Sequence, residues 1–307
     1  MPLRHITNPL SCLWKERVAG KRNFIRQNWG DSRDGHGPTS AATDYEVQCW
    51  RWFLVAVTIG GAMDESLLTQ VIAIQNDVRA AFGWSYEDDV QSAKELQKLF
   101  QSATPFGVAH WSKEARQHTL HRIQGELRKA QHVVLVGAAA AKSDLMQNWP
   151  DGTLYIAADG AVGAFPESIS PLCVVTDLDG AEHLDRAASD GATLVVHAHG
   201  DNQHRWEKLM PQWAEHGQPQ LVLTHQTNES YDGMHNPGGF TDGDRAACLL
   251  HWLGIDLNKV ELIGFTTGRV GPWSGSTDEE QKMRKLNWMR TILECLNDGF
   301  SRFIGVK

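Results

Sequence analysis

Six short apolar runs beyond residue 131 decide what this chain can fold into. They are 132–137 (HVVLVG), 154–158 (LYIAA), 172–176 (LCVVT), 193–197 (TLVVH), 221–224 (LVLT) and 260–265 (VELIGF), spaced by roughly 20 to 40 residues. Each is rich in β-branched residues and nearly continuous in apolar character, whereas a strand with one wet face would alternate. Such strands are buried on both faces, and the intervals between them have room for crossover helices. The expected fold is α/β: a three-layer, Rossmann-like, mostly parallel sheet forming a catalytic domain over 131–307.

Ahead of the sheet the pattern is helical. Leu67, Leu68, Val71, Ile72 and Ile74 recur at helix spacing, and 82–89 (FGWSYEDD) interrupts them. A second helix is expected over 90–100, with Ala93, Leu96, Leu99 and Phe100 on one face. Thr104, Pro105 and Gly107 mark a linker, and Ser112 can cap a third helix running to about Ala130. These helices form an expected N-terminal helical subdomain over 63–130. Residues 1–62 read differently. Segment 30–43 (GDSRDGHGPTSAAT) has almost no apolar anchor, 45–59 could form one apolar helix, and Met63 opens the regular pattern. The expectation is a partly disordered extension, with the native start at Met63. Further on, Thr241 with Asp244 and Thr277 with Glu280 have the spacing of capping boxes.

Composition narrows the function. A net charge of -8 over 307 residues argues against a nucleic-acid binder, which would carry a basic surplus. An anionic substrate would then need a metal or backbone N–H groups to hold it. Five scattered cysteines without a CxxC pair fit reduced thiols better than a disulfide frame or a structural zinc site. The N-terminus has no apolar signal core, and the longest apolar run, 52–59, is about a third of a membrane span. A cytoplasmic protein with no membrane partner is expected.

Ligands of parallel sheets bind beyond the carboxyl ends of the strands, and these ends are polar. The second run leads into Asp159 and Gly160, and the third into Asp177 and Asp179. The fourth leads into His197, His199 and Asp201, the fifth ends at Thr224, and 238–244 (GGFTDGD) precedes a helix. One aspartate at a strand end is as often a helix cap. The combination of Asp177, Asp179, Asp159, Asp201, Asp242 and Asp244 is different, because three carboxylates about 5 Å apart repel by about 3 kcal/mol per pair. Oxygen-only ligation of this kind suits Mg²⁺ completed by substrate phosphates, which points to a Mg–nucleotide enzyme. For the phosphates, Gly137 opens only a weak glycine loop, with neither GxGxxG nor a Walker lysine. Lys142, Arg245 and Arg269 could reach them, and the N–H groups at the Thr241 helix start form an anion site. The string HAHGDN resembles the HxHxDH zinc motif of metallo-β-lactamase-type hydrolases, but Asn202 replaces the last histidine. Hydrogen bonds or a proton contact near the substrate fit the two histidines better.

Taken in order, ADGA, VVTDLDG, VVHAHGDN, GGFTDGDRA and a C-terminal helix after GRVGPWS closely resemble the archaeal 6-hydroxymethyl-7,8-dihydropterin pyrophosphokinases. That family is distantly similar to the catalytic domain of thiamin pyrophosphokinase. The resemblance runs from about Leu68 to Leu296. It implies transfer of pyrophosphate from ATP to the hydroxymethyl group of a reduced pterin, releasing AMP, in pterin-cofactor biosynthesis of methanopterin or folate type. Mg²⁺ would sit on Asp177 and Asp179, with Asp159 and Asp242 completing the metal and phosphate environment. His199, Asp201 or Asp244 would take the hydroxyl proton. Gly137, Asp159, Gly160, Thr224, Thr241 and Arg245 are the expected nucleotide contacts, and a homo-oligomer is left open. The segments GAAAAKSD, THQT and TTGRVG depart from the family pattern. Thiamin pyrophosphokinase and a nucleotide-sugar glycosyltransferase are the alternative activities.

Overall fold

The computed structural model describes residues 65–275 and 278–305. The expected extension over 1–62, the helix at 45–59 and the start at Met63 lie outside the described residues. Six strands form one sheet: β1 (Val133–Val136), β2 (Leu154–Ala158), β3 (Cys173–Thr176), β4 (Thr193–Ala198), β5 (Gln220–His225) and β6 (Val260–Ile263). Their order is β5-β4-β3-β2-β1-β6, and every pairing is parallel. All six coincide with the apolar runs; β1, β3 and β4 are buried on both faces, whereas β6, at the sheet edge, alternates buried with half-buried residues.

Eight α-helices accompany the sheet among the described residues: α1 (Glu65–Phe82), α2 (Tyr86–Leu99), α3 (Lys113–Lys129), α4 (Lys142–Leu145), α5 (Ala181–Ser189), α6 (Gln203–Glu215), α7 (Asp242–Trp252) and α8 (Glu279–Leu296). Val174, Leu194, Val196, Leu221 and Leu223 share a core with Ala93 and Leu96 of α2, Leu184 of α5 and Trp206 and Met210 of α6. Helix α7 packs on β1, β2 and β3, and α3 packs on β5. No helix of the described residues is long and apolar enough to cross a membrane.

Two helix starts differ from the pattern. The break after α1 is only Gly83 to Ser85: Ser85 accepts a hydrogen bond from Asp88 N at 3.2 Å, and α2 starts at Tyr86, four residues before Val90. Its first turn is acidic, which suits a helix N-terminus but hides the helix from an apolar count. Helix α8 is capped by Asp278, whose carboxylate accepts from Gln281 N at 2.7 Å, and Thr277, expected to cap it, lies outside the described residues.

The N-terminal helices are tied to the strand ends by buried polar groups. Arg79 of α1 pairs with Asp89 of α2 at 2.7 Å, and both are buried. Asp89 also accepts from Gly200 N at 2.8 Å and from Gln226 Nε2 at 2.9 Å. One carboxylate therefore joins α1, α2 and the loops after β4 and β5. Removing one partner of a buried pair leaves the other charge desolvated and uncompensated. Asp89→Ala is expected to lower the unfolding free energy by about 3–5 kcal/mol in urea titrations; a loss under about 1 kcal/mol would contradict the role given to this contact.

Candidate active site

The loops after β2 and β3 carry unusual backbone. Among the described residues five non-glycine residues have positive φ, and Asp159 (46°), Leu178 (74°) and Ala181 (50°) are three of them. Leu178 separates Asp177 from Asp179 and buries its side chain in the core. The two carboxylates consequently serve different neighbours.

Asp179 meets Asp159 and Asp242: one oxygen from each lies within 4.8 Å of the others. Thr176, the last residue of β3, donates its hydroxyl to Asp159 Oδ1 at 2.5 Å and accepts from Leu178 N at 2.8 Å, joining both loops to the strand. Gly180 permits the approach, since a Cβ there would stand 2.8 Å from Gly160 N and 2.9 Å from both Asp159 oxygens. Gly160 in turn leaves room for the Trp273 carbonyl. The three acids are mutually unfavourable. Burial, then the charges of Asp179 and Asp242, raise the Asp159 carboxyl well above its ordinary value. Burial, then Asp177, raise Asp242 to about 7, even with Arg245 opposing. Three hard oxygen donors whose charges need compensation fit a divalent cation of the Mg²⁺ type.

Asp177 lies outside that group and is surrounded by cations. Its Oδ2 is 3.1 Å from His199 Nε2 and 3.8 Å from Arg245 Nη1, and its Oδ1 is 3.6 Å from Arg205 Nη1. Burial opposes its charge, but the His199 hydrogen bond and charge, with Arg245 and Arg205, hold its pKa well below the usual carboxylate range. Arg205 also stands 3.7 Å from Asp179 Oδ2, bridging the two halves of the motif.

The other expected site residues sort by partner. His199 Nδ1 is 2.7 Å from Asp201 Oδ1, so both ring nitrogens face carboxylates. Burial lowers its pKa, yet the hydrogen bonds to Asp177 and Asp201 outweigh that and raise it to about 9. Asp201 is open, with 80% of its side chain exposed. Asp244 is fully buried and accepts from Phe240 N, from Thr241 N at 3.0 Å and from Thr241 Oγ1 at 2.7 Å. Its carboxylate is spent on capping α7, which removes it from the general-base candidates and engages the Thr241 hydroxyl as well. Arg245 is buried against Asp242 (3.1 Å) and Gln226 (3.1 Å), so its charge supports the acids from within. Thr224 is also turned inward, with its hydroxyl on His197 Nδ1 (2.9 Å) and Val196 O (3.2 Å). His197 is buried against Thr224 and Gln226, and the acid triad is the one metal-competent cluster among the described residues.

A cleft opens from the triad across the ends of β1 and β6, where the strand order reverses. It is open to solvent rather than an enclosed cavity. Gly137, Ala138 and Ala139 line it together with Phe265 and with Trp273, whose N donates to Ala138 O at 3.1 Å, and Arg269 and Lys282 bring positive charge. The missing loop glycines have a structural counterpart. Gly264 and Gly271 pack directly on Ala140 and Ala138, where any Cβ would collide with the alanine backbone, so the glycines that allow close packing here stand on the β6 side. Lys142, by contrast, is exposed at the start of α4 and does not line the cleft. Arg205, Gln226 and Lys282 are the residues that sequence reasoning missed. Arg205 and Lys282 sit on helices with no motif around them, and Gln226 lies within THQT beside the expected contact Thr224.

No family model matches the chain. The chain is 36% identical over 235 residues to the 6-hydroxymethyl-7,8-dihydropterin pyrophosphokinase of Pyrococcus furiosus, which spans 72% of this chain and 91% of that protein. The chain belongs to this family. It is accordingly an enzyme, a diphosphotransferase. The relatives of the same description from Methanocaldococcus jannaschii (29% over 237 residues, 92% of that protein) and Methanothermobacter thermautotrophicus (38% over 117 residues, 47% of that protein) agree with it.

The His199 contacts predict a pH signature. A pKa raised from 6.5 to about 9 means that the folded state holds this proton more tightly than the unfolded chain does. The stabilisation is complete below about pH 6.5 and is lost as pH rises through about 9. The Tm advantage of the wild type over His199→Gln should therefore shrink between pH 6.5 and pH 9; a constant gap across that range would contradict a charged His199.

Proposed function

We propose that this family member transfers pyrophosphate from ATP to the hydroxymethyl group of 6-hydroxymethyl-7,8-dihydropterin, giving the pterin diphosphate and AMP. The supporting observation is the triad Asp159, Asp179 and Asp242 at the mouth of the cleft over β1 and β6. The triad would hold Mg²⁺, whose charge neutralises the phosphate oxygens during transfer.

The nucleotide lies in this cleft, with Arg269 and Lys282 toward its phosphates. Backbone N–H groups in the first turn of α7, including that of Gly243 on the cleft wall, complete the anion site. In the transfer the hydroxymethyl oxygen bonds to the β-phosphorus, and the bond from that phosphorus to the bridging oxygen of the α-phosphate breaks. AMP leaves with the electron pair. Between two carboxylates that raise its pKa to about 9, His199 orients Asp177 and Asp201 rather than accepting a proton. Asp201, open to solvent, takes the hydroxyl proton. Catalysis is otherwise positioning and electrostatics. This assignment places the protein in pterin-cofactor biosynthesis of methanopterin or folate type, in the cytoplasm, acting on small molecules rather than nucleic acid.

The test is AMP formation from ATP and Mg²⁺ with and without the dihydropterin, with thiamin as the alternative acceptor. Pterin-dependent AMP is expected, and Asp179→Asn should lower kcat by about 100-fold or more with the fold retained. AMP released equally without acceptor, or turnover with thiamin alone, would contradict the assignment.

A further inference from the structure

The acid centre has a second flank, opposite in character to the nucleotide cleft. Trp84 occupies the short turn between α1 and α2 and is 36% exposed, one of few large apolar side chains left in solvent among the described residues. It stacks on Phe82 with centroids 4.7 Å apart and planes at 19°. Phe240 stands 5.9 Å from Trp84 at a 48° tilt. Phe240 directly precedes Thr241 and Asp242, so this ring is two residues from a triad carboxylate.

Helix α8 presents two lysines to different surroundings. Lys282 lines the nucleotide cleft. Lys285, less than a turn later, places Nζ 5.1 Å from the Trp84 centroid and 5.9 Å from that of Phe240. It forms no ion pair among the described residues, yet its charge is within range of Asp177 and Asp201. A cation held over two aromatic faces, beside the acids but paired with neither, is poised to meet a ligand.

Resting on the functional reading above, we propose that Trp84, Phe240 and Lys285 form the acceptor subsite. The planar pterin ring lies against Trp84 and Phe240, taking the place that the Lys285 ammonium holds over them. The ammonium moves to a carbonyl oxygen of the ring. The hydroxymethyl group then points past Asp201 toward the triad, and the two substrates enter from opposite sides of the acids. Trp84 and Lys285 are thus binding and specificity residues that no acid motif would reveal.

The test is a steady-state comparison of wild type, Trp84→Ala, Trp84→Phe and Lys285→Met, with KM measured separately for ATP and for the dihydropterin. Binding of oxidised 6-hydroxymethylpterin, followed by its own fluorescence without ATP, provides a second measurement. Thermal melts confirm folding, and Lys285→Met keeps the test open should Trp84→Ala unfold. Trp84→Ala and Lys285→Met should each raise the pterin KM about tenfold or more, with ATP KM within about twofold and Trp84→Phe largely restored. Unchanged pterin KM and binding in both variants, with normal wild-type turnover, would overturn the subsite alone. A wild type that neither binds pterin nor depends on it for turnover would overturn both the subsite and the functional reading.

Discussion

Holding three carboxylates within 4.8 Å of one another is the constraint on which the rest of this structure depends. Left to themselves they repel, each pair by about 3 kcal/mol at an effective dielectric near 20. The fold resists separation with loop geometry as well as with the Arg245–Asp242 and Arg205–Asp179 ion pairs. Thr176 ties Asp159 and Leu178 to the end of β3, Gly180 and Gly160 let the loops close, and positive φ at Asp159 and Leu178 fixes their direction. Asp177 is turned away and neutralised by His199, Arg205 and Arg245. One half of a two-aspartate motif is thus balanced internally, while the other half stays available to a cation.

The helices ahead of the sheet belong to the same construction. Gln226 accepts from Arg245 and donates to Asp89, which holds Arg79 and the backbone of Gly200. The chain of contacts runs from α1 through the loops after β4 and β5 to the buried face of the acids. The orientation of Arg245 consequently depends on residues more than a hundred positions earlier in the chain. Disturbing α1 or α2 therefore reaches the acids directly, and the turn between these helices also carries Trp84.

The inner strands were legible because burial on both faces leaves a continuous apolar signature, which weakens only at the edge strand β6, where Glu261 is half-buried. The acids were legible as strand-end residues, but their division was not. Nothing in TDLDG says that Leu178 adopts a left-handed conformation and sends Asp177 and Asp179 to different neighbours. Thr224 and Arg245 looked like ligand contacts because they occupy strand-end or helix-start positions, and only packing shows them turned inward. The alanines after Gly137 looked like a defective phosphate loop. The glycines stand instead in the segment after β6, where Gly264 and Gly271 let its backbone pack directly on the alanines. Arg205 and Lys285 carry no local pattern, since their significance lies in residues brought near them by the sheet.

The central claim is that Asp159, Asp179 and Asp242 form the cation site. It is tested most directly by diffraction from crystals equilibrated with Mn²⁺, with anomalous differences collected at the manganese edge. A peak is expected between these three carboxylates, disappearing in Asp179→Asn crystals. A peak held by Asp177 and Asp201 instead, or none at all while the three acids remain in contact, would contradict it.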